Sequence, residues 1–281
     1  MSEGTELFTD AAGRRHHPAR NDCRIVSLVP SLTELLLDLG LDEHLVGRTG
    51  FCIHPRDVVK AIPKVGGTKD VNIGKVLDLD PTHVVVNIDE NRRETVERLA
   101  ETVPNIIVTH PCVPEDNIDL YKLMGGIFGK HAEASELVTG FRKELDALHE
   151  LRGELLQSHV LYLIWRSPWM TVSADTYIAG MLSLINWITV YPETGGRYPV
   201  IEDLEATAAG VDRILLSSEP YRFREKHVRE CREKVPSAGV MLVDGELLSW
   251  YGSRAVRGLR YLGELARTGR GRSNEHDLTL H

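Results

Sequence analysis

At 281 residues the chain can build two domains of ordinary size, each with its own core, and 42% hydrophobic and 26% charged residues is the composition of a globular protein. A formal net charge of -8 excludes a general nucleic-acid or anionic-membrane binder, since both require a positive surface. No run approaches the ~20 apolar residues of a membrane span, and Cys23, Cys52, Cys112 and Cys231 form no CxxC pair, so neither a zinc ribbon nor a dithiol motif is indicated.

Residues 1–21 form a polar segment with no apolar h-region and no small-residue cleavage site. They predict a cytoplasmic protein if Met1 is the natural start, and a periplasmic one if a leader has been removed. RIVSLVPSLTELLLDLG (Arg24 to Gly40) reads as an apolar strand, a Pro-containing turn and a helix, in which Ser31 and Glu34 have capping-box spacing that commits Glu34 to the helix start. IGKVLDLDPTHVVVN (Ile73 to Asn87) reads as a helix and a buried strand broken at Asp80-Pro81, and PNIIVTH (Pro104 to His110) as a short closing strand. The amphipathic stretch from His131 to Leu156 carries Ala134, Leu137, Val138, Phe141, Leu145, Leu148 and Leu155 at helical spacing, and would be about 39 Å long.

Then the pattern returns. VLYLIWRSPWMTVSADTYIAGMLSL (Val160 to Leu184) repeats the strand, turn and helix; VIEDLEATAAGVDRILLSSEP (Val200 to Pro220) repeats the helix and strand with Gly210 as the break; GVMLVDG (Gly239 to Gly245) repeats the closing strand. The repetition predicts an α/β protein of two lobes, residues 22–130 and 158–267, joined by one long helix over 131–157, with a frayed tail over 268–281 and a ligand cleft between the lobes.

Several segments carry candidate binding chemistry. Trp165 and Trp169 in IWRSPWM, and Trp250 in SWYGSR, stand beside charged or glycine residues rather than inside periodic apolar runs. With Tyr177, Tyr221, Phe223 and Tyr251 they could wall a site for a large planar ligand, and Arg166, Arg222 and Arg254 adjoin those aromatics. Gly67, in VGGTKD, offers bare backbone but lacks the spacing of a phosphate-binding loop. Cys52 and His54 in FCIHP, and His110 and Cys112 in THPCVP, are metal-ligating types, but two pairs make a structural site only if they meet. Cys52 or His54 as an axial ligand to a metal already held in a chelate needs one residue alone. There is no GxSxG, no HExxH and no Ser, His and Asp set at recognisable spacing, so no catalytic residue is assigned and the expectation is a non-enzyme.

RIVSLVPSLTELLLDLG, VGGTKDVNIGKVLDLDPTHVVV and the helix from His131 resemble the class III periplasmic binding proteins, the helical-backbone metal receptors of ABC importers. YLIWRSPWMTVSADTYI, LLSSEPYRFREKH and DGELLSWYGSR are similar to their cobalamin-binding branch. The resemblance implies two Rossmann-like lobes on a rigid backbone helix, a small-molecule chelate as ligand and no intrinsic cofactor, with cobalamin first and siderophore or haem as competitors. It implies an ABC permease as partner, neither nucleic acid nor membrane insertion, and ligand contacts among Cys52, His54, Gly67, Trp165, Arg166, Trp169, Tyr177, Glu219, Tyr221, Phe223, Trp250, Tyr251 and Arg254. In transporter-docking members an acidic residue on each lobe meets the permease, and Glu90 or Glu94 and Glu219 lie in comparable regions. WITVYPETGGRYP (Trp187 to Pro199) departs from the branch, which has a small-residue turn there. A bare divalent-ion receptor using Cys52, His54 and Glu219, and a cytoplasmic cofactor-handling enzyme or chaperone on the same fold, are the alternatives.

Overall fold

A computed structural model of the chain describes residues 6–193 and 195–270. The first five residues, Thr194 and the tail from 271 lie outside them. Contacts divide the chain into two units: one holds residues up to Pro111 with Glu115–Gly140 and Tyr251–Arg254, the other Cys112–Pro114, Phe141–Trp250 and the chain from Ala255. The expectation that only the long helix passes from one unit to the other is therefore corrected at two short segments, Cys112–Pro114 and Tyr251–Arg254.

The first unit opens with a hairpin, β1 (Phe8–Thr9) and β2 (Arg15–His16), within what the sequence suggested as a polar segment. Asp10 seats it. Its carboxylate accepts from the backbone of Val108 at 3.0 Å, of Ala12 and Arg14 at 2.9 Å, and pairs with His16 Nε2 at 3.0 Å. Burial alone would raise this carboxyl, but the bonds from His16, Val108 and Arg14 hold it below its ordinary value. Then follow β3 (Ile25–Ser27), α1 (Pro30–Asp38), β4 (Leu45–Arg48), α2 (Arg56–Val59), α3 (Ile73–Leu77), β5 (His83–Asn87), α4 (Arg93–Ala100), β6 (Asn105–Thr109) and α5 (Asp116–Ile127). The strands pair in parallel in the order β4-β3-β5-β6. Ile25, Val26, Val84, Val85, Val86, Ile106 and Ile107 are all buried, as strands covered on both faces require.

Helix α1 corrects the capping-box reading. It starts at Pro30, whose fixed φ and missing N–H suit the first helical position, so Val29 is the N-cap and no side chain caps. Ser31 thereby lies two positions past the N-cap and cannot cap the helix, and Glu34 is released for another partner.

Helix α6 (His131–Arg152) begins in the first unit and ends in the second. Ala134, Phe141, Leu145 and Leu148 form its buried stripe. It stops at Arg152 rather than near Leu156, because Gly153 follows and the Asn186 side chain takes the terminal carbonyls of Arg152 and Leu155 at 3.1 and 2.9 Å.

The second unit contains β7 (Ser158–Leu163), β8 (Trp169–Met170), α7 (Tyr177–Ser183), β9 (Trp187–Thr189), β10 (Val200–Ile201), α8 (Leu204–Thr207), β11 (Arg213–Ser217), α9 (Glu225–Lys234), β12 (Gly239–Val243) and α10 (Gly245–Ser249), followed by α11 (Arg254–Arg270). Its parallel order is β9-β7-β11-β12. In both units the first strand lies between the second and third, with the fourth outside the third, so the repeat seen in sequence is a repeat of topology. The breaks before the third strands also correspond: Asp80 at φ 46° and Gly210 at φ 79° both turn through the left-handed region. The chain remains helical through Arg270, so the frayed tail does not begin at 268.

Candidate functional site

A parallel sheet ordered second, first, third, fourth sends its connections in opposite directions from the carboxyl ends of the first and third strands, and a crevice opens between them. In the second unit those strands are β7 and β11. The segments leaving them, Ile164–Pro168 and Ser218–Phe223, carry Trp165, Arg166, Tyr221 and Phe223. They are stitched together where the Tyr221 N–H donates to the Ile164 carbonyl at 3.3 Å, and Ser167, at φ 68°, turns the chain back so that the Met170 N–H meets the Trp165 carbonyl at 3.2 Å.

The aromatics form one cluster. Trp169 stacks on Phe223 with centroids 6.0 Å apart and planes at 3°. Tyr221 meets Phe223 edge-on at 4.9 Å, and Trp165 meets Tyr221 edge-on at 5.7 Å. Phe223 is core, whereas Trp165 keeps 39% of its surface in solvent, an expense of apolar area that a ligand would remove. The Arg166 guanidinium lies 4.4 Å over the Trp169 ring and is held by two bonds to Glu230, at 2.6 and 3.2 Å.

Beside this wall is a groove of about 290 Å3 lined by Arg166, Ser167, Tyr221, Lys226, His227 and Glu230. Lys226, His227 and Glu230 sit in the first turns of α9, and neither they nor Ser167 were singled out from the sequence. The available signal was the helix start itself: His227 stands three positions after Arg224, and its Nδ1 accepts the Arg224 backbone N–H at 2.9 Å. Its Nε2 lies 3.2 Å from the Tyr221 hydroxyl. Burial, then the Lys226 charge, holds the His227 pKa below its ordinary value.

Other expected ligand contacts are used internally. Trp250 is buried, and its indole N–H donates to Glu219 Oε1 at 2.6 Å, the same oxygen that accepts from Ser249 at 2.8 Å. Burial raises the Glu219 carboxyl. Oε1 is thereby occupied within the unit. Tyr251 and Arg254 belong to the first unit: the Tyr251 hydroxyl donates to Glu90 Oε1 at 2.7 Å, and Arg254 forks onto Glu34 at 2.7 and 2.9 Å. Of the side chains expected to share one cleft, Trp165, Trp169, Tyr221 and Arg166 gather at the groove, while Trp250, Tyr251 and Arg254 are buried with Glu219, Glu90 and Glu34 as partners. Tyr177 is buried at the start of α7, behind the Thr176 cap.

Cys52 is likewise internal. It is 1% exposed, accepts from Thr33 Oγ1 at 3.0 Å and lies 3.2 Å from Thr49 Oγ1, and burial pushes its thiol pKa up. A thiol so held is not offered to a metal. His54 is half-buried, and the Gly67 N–H closes its own turn on the Asp70 carbonyl at 3.0 Å. Among the described residues no three His, Cys, Asp or Glu side chains converge on a metal position. Glu94 is exposed in the first turn of α4. In the divergent stretch, the Pro199 and Arg197 carbonyls bond Thr171 N–H and Ser173 N–H, fixing it alongside β8.

A model of the periplasmic binding protein family matches residues 25–234. An uncharacterized ABC transporter substrate-binding lipoprotein of Bacillus subtilis, YvrC, is 23% identical over 276 residues, covering 92% of this chain and 86% of the relative. The vitamin B12-binding protein of Pectobacterium carotovorum is 21% identical over 201 residues, covering 70% and 72%. Among solved structures, the periplasmic vitamin B12 binding protein BtuF of Vibrio cholerae superimposes with a TM-score of 0.77 at 17% identity, covering 89% of this chain and 98% of that one. These findings overturn the cytoplasmic expectation, since the family is periplasmic and the relatives include a lipoprotein and a periplasmic protein. Among the described residues no helix is long and apolar enough to cross a membrane.

Proposed function

The chain belongs to the periplasmic binding protein family, and from that premise we propose that it is the non-catalytic solute-binding component for a metal chelate, with a corrinoid such as cobalamin as ligand and an ABC permease as partner. The observation that carries the reading is the likeness to a vitamin B12-binding protein over 201 residues. The wall of Trp165, Trp169 and Tyr221, backed by the buried Phe223, supports it, because a flat macrocycle is what such a surface covers best. The chelate brings its own metal donors, so the protein's contribution is shape, stacking and hydrogen bonds.

The bare-ion alternative has less support, because Cys52 is enclosed by Thr33 and Thr49, and among the described residues no three His, Cys, Asp or Glu side chains converge. Calorimetric titration of the full chain with cobalamin, haemin, a ferric hydroxamate and zinc tests the reading. Saturable one-to-one cobalamin binding with a change in tryptophan fluorescence is expected. Haemin or hydroxamate binding alone would replace the corrinoid, and zinc binding alone would reverse the ranking.

A further inference from the structure

The groove beside the aromatic wall holds a set of hydrogen-bond donors whose direction the structure fixes. His227 Nδ1 accepts the Arg224 backbone N–H at 2.9 Å, so that nitrogen carries no proton. The ring proton is then on Nε2, and across the 3.2 Å contact it is Nε2–H that donates to the Tyr221 oxygen. Tyr221, having accepted, keeps its own O–H to give elsewhere. Ser167 stands the same way: its oxygen accepts from Arg166 Nη1 at 2.7 Å, which leaves the hydroxyl proton available. Lys226, exposed at the rim, makes no ion pair among the described residues. The one carboxylate in the lining, Glu230, has each oxygen occupied by Arg166.

The charge count follows. Arg166 and Glu230 cancel, His227 is neutral by the tautomer argument, and Lys226 leaves one positive charge. We infer that this groove is a subsite for a singly charged anionic substituent of the ligand, a phosphodiester or a carboxylate, received by the Tyr221 and Ser167 hydroxyls and the Lys226 ammonium. It rests on the chelate reading and narrows it, because it selects chelates that carry such a group at the edge of the ring that Trp165 and Trp169 cover. A corrinoid with its nucleotide loop carries one phosphodiester; the same corrinoid without the loop carries none.

Two measurements on the full chain test the subsite. In the first, calorimetry compares cobalamin with cobinamide, which lacks the loop, for wild type, Tyr221→Phe and Lys226→Gln. Tyr221→Phe keeps the ring in its cluster and Lys226 is exposed, so both variants retain the fold. Wild type is expected to prefer cobalamin by about tenfold or more, the size of a hydrogen bond to a charged group, with the preference reduced in each variant and the Lys226 share weakening as salt is raised. Equal binding of the two corrinoids overturns the inference while leaving the corrinoid reading in place. Binding of neither refutes that reading and passes the decision to the second measurement. There, dimethyl phosphate and acetate are titrated at millimolar concentration while the backbone and indole amide resonances are followed by NMR. Saturable shifts at Ser167, Lys226 and Trp165 that disappear in Tyr221→Phe support the subsite and show which anion it takes. No shift, or shifts unchanged in both variants, overturns it whatever the chelate.

Discussion

Arg254 was expected at the ligand, and replacing it separates the two roles sharply. Its guanidinium and the Glu34 carboxylate are 7% and 8% exposed and make two bonds, at 2.7 and 2.9 Å, between residues 220 positions apart. With charge centres ~4 Å apart and an effective dielectric of about 20, their attraction is about 4 kcal/mol. Arg254→Ala withdraws that attraction and leaves the carboxylate in a desolvated position, so a loss of about 3–5 kcal/mol is expected. Replacing both, Glu34→Leu with Arg254→Met, removes the buried charge altogether and should cost much less than the sum of the singles. Urea unfolding followed by circular dichroism measures both, and equilibrium dialysis with the chelate measures binding under conditions where each variant is folded. A loss below about 1 kcal/mol in Arg254→Ala, coupled to a large drop in affinity, would refute the structural role and restore the arginine to the ligand.

Trp165→Ala should weaken chelate binding about tenfold with little change in melting temperature, whereas Trp250→Phe, which removes the donor to Glu219, should do the reverse; thermal melts and titrations of the pair decide it. Burial raises the Glu219 carboxyl, so the folded state holds that proton more tightly than the unfolded chain, and the stability tied to it is lost as pH rises through the raised value. Glu219→Gln should therefore match or exceed wild-type stability at neutral pH, with the gap closing on acidification; a variant less stable than wild type at neutral pH would contradict this. A methyl group at Gly126 would run into the Phe8 ring, so Gly126→Ala should lose about 1–3 kcal/mol in chemical unfolding. Asp10 behaves oppositely to Glu219, since its lowered pKa makes its contribution present at neutral pH and lost in acid; Asp10→Asn should flatten the acid limb of the stability profile.

The first, third and fourth strands of each sheet were legible as short apolar runs bounded by turn residues, in an order repeated along the chain, whereas the second strands, Leu45–Arg48 and Trp187–Thr189, are too short to carry a pattern of their own and went unread. The backbone helix was legible because Ala134, Phe141, Leu145 and Leu148 keep their spacing. Its end was misplaced because Asn186, which satisfies the last carbonyls, is far away in sequence. The same reason misdirected Glu34. Local spacing offered Ser31 as its partner, while the residue that neutralises it lies at the far end of the chain, and Pro30 moved the helix start by two positions. At the candidate site, Trp165 and Trp169 drew attention because they stand beside charged residues rather than inside periodic apolar runs, and they cluster with Tyr221 and Phe223 because the segments that carry these rings leave adjacent strands. Trp250, Tyr251 and Arg254 look the same in sequence but turn inward to Glu219, Glu90 and Glu34. His227 passed unnoticed because its role depends on which ring nitrogen faces a backbone amide, something visible only in three dimensions.

Residues Tyr251–Arg254 complete a unit whose other members were all made before residue 141. At the roughly 5–20 residues per second of synthesis, the 220 positions separating Glu34 from Arg254 correspond to on the order of 10–40 s. Over that interval the first sheet can assemble, but the Arg254 guanidinium, the Tyr251 hydroxyl and the Gly252 backbone that meet Glu34, Glu90 and Asn117 do not yet exist. The opening half of the molecule thus reaches its final state only as the last helix emerges, and a chain ended prematurely anywhere between residues 141 and 250 carries a defect in the first unit.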